Sequence, residues 1–272
     1  MNEWKSSGGR ITLIPAPVSS SPPLSVLELY RRVWGGDPDS FQKPPNPLMP
    51  SVAQGRRGSL MAACSVHPAR IDINLTPATS PQGVAQYSIP LIQDTSRLHA
   101  ELLRIIDVIG QSAVLDSVVR VAFNLQFLAP KPSSAEANRA LTTVIPSQYG
   151  VRVTDEEDFI FQINRPYISR EVGSTKMNFI TKWSVDRLQI LTFSLPAGGA
   201  TTSAQTSPSA RAETKQFIVA NVNLDINNVP TENPLAGRQQ SSLLREALTA
   251  GSQMQQDIGL NIEGFHNVKL ST

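Results

Sequence analysis

The sequence predicts an α+β fold: a mostly antiparallel sheet, or sheets, with amphipathic helices packed on one face. Three observations carry this. Several segments alternate apolar and polar residues with a period of two, best seen in Val119, Val121, Phe123, Leu125 and Phe127. Two segments repeat apolar residues at helical spacing, most broadly Leu98, Leu102, Ile105, Ile106 and Ile109. Short turn signals separate the strand-like runs, which implies antiparallel neighbours.

The elements follow in order. Residues 1–9 read as a loose tail and Ile11–Ile14 as a short first strand, ended by Pro15 and Pro17. A Ser/Pro cluster leads into a helix whose apolar face is Val26, Leu27, Tyr30, Val33 and Trp34. Gly35–Gly36–Asp37–Pro38 stops it. Residues 38–58 are rich in Pro, Gly and Gln. Lys43–Pro50 within them should be extended, with polyproline character, as a surface loop or a docking segment. Leu60–Val66 and Arg70–Thr76 form a hairpin around His67–Pro68–Ala69.

Asp94 or Thr95 caps the strongest helix, which Gly110 ends. The strand from Val119 should stop at Pro130 and Pro132. Ser133 or Ser134 then caps a short helix through Leu141. Asp158–Asn164, Met177–Val185, Leu188–Leu195 and Gln216–Ile226 read as strands, with Asp186–Arg187 a bend or the middle of one long strand. Residues 196–212 lack large apolar side chains and read as a mobile loop. Ser241 or Ser242 starts a last helix carrying Leu243, Leu244, Ala247 and Leu248. The tail from Gly259 to Thr272, with Val268 and Leu270, returns to the body.

This order divides the chain into an N-terminal α+β half at 10–130 and a C-terminal one at 131–272. The two are open to being one continuous domain. No internal repeat stands out, but the order of elements allows two similar α/β halves.

Composition narrows the function classes. Among 272 residues, 17% are charged, against about 25% in an average soluble domain. A surface so lightly charged suits self-association or a protein partner. A net charge of +2 is too mild for a nucleic-acid partner, and the pairs Arg31–Arg32 and Arg56–Arg57 read as solvated surface charge. The single cysteine, Cys64, lies in an apolar run and reads as a small buried hydrophobe. No apolar run has the length of a signal peptide's core or of a membrane helix, so the expectation is a cytoplasmic chain without a membrane partner.

Chemistry-bearing motifs are scarce. The three histidines, His67, His99 and His266, have no second His or Cys at metal-ligand spacing. No phosphate-cradling Gly-rich loop and no Gly-x-Ser-x-Gly elbow occurs. No catalytic residue, metal ligand or cofactor is therefore assigned. The acidic run Asp155–Asp158 reads as a solvated turn. Asp72 and Asp225, among strand asparagines, read as the wet face of a sheet, with a metal-dependent hydrolase or nuclease as the sharper alternative. Trp183 and Phe179 read as core. The most informative polar motif is Asn164–Arg165–Pro166–Tyr167. There an arginine beside an amide and a phenol suits a carboxylate or phosphate, so Asn164, Arg165 and Tyr167 are the candidate ligand-binding residues.

Val119–Pro130, Asp158–Pro166 and Phe217–Asn227, followed by the Leu243–Leu248 helix, resemble a sporadically distributed family of uncharacterised bacterial proteins. Asn124 and Asp225 hold places similar to that family's strand Asn and later acidic strand. The resemblance covers the last two-thirds of the chain and implies an α+β fold with no known activity. The segments 38–50 and 196–212 do not match it. It motivates one reading, a sensor or adaptor in a phage-defence system. The leading expectation remains a non-enzymatic protein-binding or assembly protein, homo-oligomeric or part of a multi-protein complex.

Overall fold

The period of two is realised in one sheet. A computed structural model describes residues 4–17, 25–78, 88–111, 117–154, 159–194 and 211–260. The first half contains β1 (Lys5–Pro15), α1 (Val26–Trp34), β2 (Ser40–Gln42), β3 (Ser51–Arg57), β4 (Leu60–His67), β5 (Arg70–Pro77) and α2 (Thr95–Gln111). The second opens with β6, before the division at 131 read from sequence, because β6 pairs with β10 as β1 pairs with β5; it contains β6 (Val118–Lys131), α3 (Ser134–Thr142), β7 (Ile160–Asn164), β8 (Tyr167–Ile168), β9 (Lys176–Ser194), β10 (Arg211–Asn228) and α4 (Gly237–Asp257). All ten strands join one sheet in the order β2-β3-β4-β5-β1-β6-β10-β9-β7, with β8 on β9, and every pairing is antiparallel. The two halves therefore share a single sheet.

Setting aside the short edge pieces β2 and β8, each half is β–α–β–β–β–α, and in each the first strand pairs with the last. The halves meet where β1 and β6, equivalent strands, pair antiparallel, with Ile11 opposite Phe123. Equivalent strands paired in this way are related by an approximate twofold axis. The sequence carries a trace of this. Ile71–Asp72–Ile73–Asn74 on β5 recurs as Leu224–Asp225–Ile226–Asn227 on β10. Asp72 faces Thr12 of β1, and Asp225 faces Asn124 of β6.

One face of the sheet is apolar. Ile11, Leu13, Phe123, Leu125, Phe127, Val222 and Leu224 are buried there, in one core with Leu102 and Ile105 of α2 and Leu244 and Leu248 of α4. A Cβ on Gly9 would meet Leu102 at 3.1 Å, and one on Gly251 would touch Ile226, Leu125 and Phe123, so α2 and α4 lie on this face. Tyr149, which follows α3, stacks toward Trp183 with ring centroids 6.2 Å apart. The hydroxyl of Tyr30 on α1 sits against Gly55 of β3. All four helices thus cover the same face, as the alternation predicts.

Several boundaries differ from the sequence reading. The first strand begins at Lys5, inside the expected tail, and Trp4 is buried. Its Ser–Gly stretch lacks apolar signal because β1 lies between β5 and β6, and a Cβ on Gly8 would come within 2.6 Å of the Leu75 carbonyl. The Pro/Gly-rich segment holds β2 and all of β3. β6 runs through Pro130 to Lys131. β1 pairs with it only as far as Leu128, so at Pro130 β6 is an edge on that side and tolerates a residue without N–H. Asp186–Arg187 is the middle of one long strand, and β10 already begins at Arg211. The remainder of the expected loop, residues 196–210, lies outside the described residues, as do residue 195 and the tail from 261.

The helix starts follow capping chemistry. Asp94 Oδ1 accepts from Arg97 N at 3.0 Å, and Ser133 Oγ accepts from Glu136 N at 3.2 Å. α4 begins four residues before the expected Ser241, at Gly237. Gln239 Oε1 accepts from Ala236 N at 2.9 Å, so a glutamine stabilises the first turn where a serine was expected.

β9 and β10 outrun their neighbours. β6 pairs with β10 only up to Ile218, and β7 pairs with β9 only down to Ser184. From Leu188–Phe217 out to Ser194–Arg211 the two strands run on as a ribbon. At ~3.4 Å per residue this ribbon is about 24 Å long. Neither of its outer edges has a strand partner among the described residues.

Phe123 sits at the seam of the halves, fully buried against α4. Phe123→Ala should lower the unfolding free energy by about 3–5 kcal/mol, through lost burial and a cavity the rigid sheet cannot close. Urea unfolding followed by circular dichroism measures this.

Candidate functional site

Phe161, Ile163 and Phe179 face the helices, while Asn164 and Asn178 face the other way. This alternation divides the predicted motif. Arg165 and Tyr167 line a cleft between α4 and the β7–β8–β9 connection; Asn164 does not. Its amide donates instead to Asn178 Oδ1 at 3.1 Å on the uncovered face.

The cleft encloses about 770 Å3. One wall is a stripe of α4 that includes Glu246, Thr249, Ala250, Gln253 and Met254, spaced by three and four residues. The other wall is Arg165–Ile168 with Arg170 and Glu171, and Phe179 also lines the cavity. Glu246 ties the walls together: Oε2 accepts from Ser169 Oγ at 2.6 Å and Oε1 from Arg170 N at 3.1 Å. Arg245 pairs with Asp107, fastening α4 to α2.

Arg165 lies with its guanidinium carbon 4.9 Å from the Phe179 ring centroid and donates to Met254 Sδ at 3.0 Å. No carboxylate lies within ion-pair distance of it among the described residues. Tyr167 has its hydroxyl enclosed and without a hydrogen-bond partner. Burial pushes its phenol up to about 12, the Glu246 charge adds to the rise, and Arg170 opposes it.

The face without helices is a polar lattice. Asn178 Nδ2 donates to Asn227 Oδ1 at 3.2 Å, Arg120 Nη2 donates to the same oxygen at 2.9 Å, and Asn227 Nδ2 donates to Asp225 Oδ1 at 2.9 Å. With Asn164 this relay crosses β7, β9, β10 and β6. Asn124 joins β6 to β10 through Asn223 Oδ1 at 2.9 Å.

Asp72 and Asp225 both lie on this face, but not together. β1 and β6 stand between β5 and β10, which puts the two carboxylates about 14 Å apart at ~4.8 Å per strand. A pair of catalytic metals sits about 4 Å apart and needs its ligands to converge. Both oxygens of Asp72 are also taken: Thr12 Oγ1 donates at 2.6 Å, Arg70 Nε at 2.9 Å, and His67 Nε2 lies at 3.4 Å. Asp155–Asp158 lies outside the described residues. Among the described residues no three His, Cys, Asp or Glu side chains cluster at metal-binding distance.

No family model, curated protein or solved structure matches this chain. Its function is read from its own geometry.

Other expected residues are placed as follows. Cys64 is fully buried and burial raises its thiol pKa, as the apolar run around it predicts. His99, which reads from its place beside Leu98 as a surface or half-buried residue, is buried on α2, and desolvation lowers its pKa. Trp183 and Phe179 are core. Arg31 and Arg32 are exposed and paired with Asp37 and Glu28, whereas Arg57 lies over the Tyr30 ring at 5.8 Å. Among the described residues no helix is long and apolar enough to cross a membrane. Met254 reads from sequence only as an end of the last helix's apolar set, and Ala250 is not singled out; their three-to-four spacing with Glu246 and Gln253 is the available signal.

Tyr167 gives the site a pH signature. Its folded pKa lies above the ordinary 10.0, so its contribution to stability is complete below pH 10.0 and is lost as pH rises to about 12. Denaturant unfolding across this range should show a falling midpoint. Tyr167→Phe should flatten part of that fall and leave the part due to Tyr30, whose pKa burial also raises.

Proposed function

We propose that this chain is a non-enzymatic assembly protein that joins a second copy of itself through the β9–β10 ribbon. The ribbon is the observation that carries this reading. Two strands continue about 24 Å beyond the sheet, at ~3.4 Å per residue, with the N–H and C=O groups of both outer edges left for another strand. A two-stranded ribbon is marginal alone, and added strands stabilise it. Gln189, Thr214, Lys215 and Gln216 are exposed along it.

The equivalent hairpin of the first half supports the same reading by contrast. β4 and β5 turn over at His67–Arg70 and go no further than the sheet needs. The extension belongs to the second half alone. Identical ribbons pairing edge to edge, β9 on β9 or β10 on β10, form an isologous contact that closes at two copies and buries one outer edge of each. A charged fraction of 17% removes part of the repulsion between copies.

The test is the mass of the full chain in solution, by light scattering coupled to size exclusion and by native mass spectrometry. The full chain should be a dimer. Replacing residues 189–216 with Asn-Gly, a two-residue hairpin turn, should give a monomer that keeps its helical circular dichroism and still unfolds in one cooperative transition. A monomeric full chain, or a shortened chain that remains dimeric, overturns the reading.

A further inference from the structure

We infer that the cleft between α4 and the β7–β8–β9 connection is a binding site for a small monocarboxylic acid with an apolar body. The inference is independent of the ribbon and rests on three properties of the cleft.

The first is size. A volume of about 770 Å3 lies inside the range of small-molecule sites. The second is its lining. Phe179 and Met254 are almost fully buried beneath it, Ala250 lies beside them on α4, and Ile168 stands in the opposite wall at 54% exposure. An apolar body placed there removes the exposed surface of Ile168 and part of Ala250 from water.

The third is the charge that faces this lining. Three arginines and three carboxylates line the cleft, and most are committed. Arg245 is paired with Asp107 of α2. Glu246 holds Ser169 and the Arg170 backbone. Asp257 accepts from Gln253 Nε2 at 2.8 Å. That leaves Arg165 and Arg170 without a carboxylate within ion-pair distance among the described residues; Glu246, Asp257 and Glu171 keep their charges, so the preference for a carboxylate rests on the placement of Arg165 itself. Arg165 is the better placed of the two. Its guanidinium lies over an aromatic ring and donates to a thioether, two contacts that restrict its orientation but use only one of its five donors, on a weak acceptor. A guanidinium held this way presents its other N–H groups with the rotamer entropy already lost, which favours a planar carboxylate taken by two parallel hydrogen bonds. Tyr167 stands in the same wall, but its hydroxyl is enclosed, so it shapes the wall and the ligand contact is left to Arg165.

The probes are three molecules of one carbon skeleton: phenylbutanoate, phenylbutylamine and phenylbutanol, titrated into the full chain by calorimetry. Phenylbutanoate should bind at one equivalent, and the amine and the alcohol at least tenfold more weakly. Arg165→Gln should weaken the carboxylate at least tenfold and leave the alcohol unchanged, with Arg165→Lys between. Ala250→Trp should remove all binding by filling the cavity. Arg165 is exposed, so an unchanged thermal midpoint shows that Arg165→Gln reports the site and not the fold. The chain with residues 189–216 replaced by Asn-Gly should bind phenylbutanoate as the full chain does, which separates this site from assembly. Equal affinity for the three probes, unaltered carboxylate affinity in Arg165→Gln, or binding only of peptides ending in an apolar residue and none of the free acid, overturns the inference.

Discussion

The antiparallel pairing of β1 with β6 is the constraint on which the rest of the structure depends. Among the described residues it is the only ladder that joins the two halves, and it sets the register of everything beside it. With Ile11 opposite Phe123 and Leu13 opposite Val121, the apolar residues of both halves fall on one face. A slip of one residue would carry one half's apolar set to the uncovered face and leave α2 and α4 without a common floor. Gly9 shows how tight that floor is, since Leu102 of α2 approaches as closely as a side chain allows.

The same pairing explains the polar face. Once one side of every central strand is taken by the helices, the other side must be wet or internally satisfied. Here it is largely satisfied by amides. Asn227 Oδ1 accepts from both Asn178 and Arg120 while its Nδ2 donates to Asp225, so one side chain links three others. Such links lie across the strands, where they resist shear between neighbours and hold the register that the core requires.

Much of this was legible in the sequence, and the gaps have physical causes. Strong alternation marked β4, β5 and β6, and strong helical spacing marked α1 and α2, because those segments bury a full apolar set. β3 was not legible. Its Gly55 reads as a turn, but it is small because the Tyr30 hydroxyl occupies the space a side chain would need. The start of β1 was hidden for the same kind of reason, a Ser–Gly run chosen for close approach. The repeated Ile/Leu–Asp–Ile–Asn tetrapeptide was visible but short, and only the shared strand order gives it meaning. Arg165 and Tyr167 were legible as a polar motif at a strand end. Phe179 and Met254, which turn that motif into a cavity, are distant in sequence and read as ordinary core. Asn164 was grouped with them by adjacency, although strand alternation alone places neighbours on opposite faces.

Cys64 carries a consequence of its own. It is the single thiol of the chain, enclosed in β4 between Ala53 of β3 and Ile73 of β5. A thiol reagent attacks the thiolate, and burial suppresses both its formation and its access. The wild-type chain therefore has a built-in reporter. The rate at which Cys64 is modified in native buffer counts the openings of the first half's strands, resolved from the far edge of the sheet and free of any introduced label.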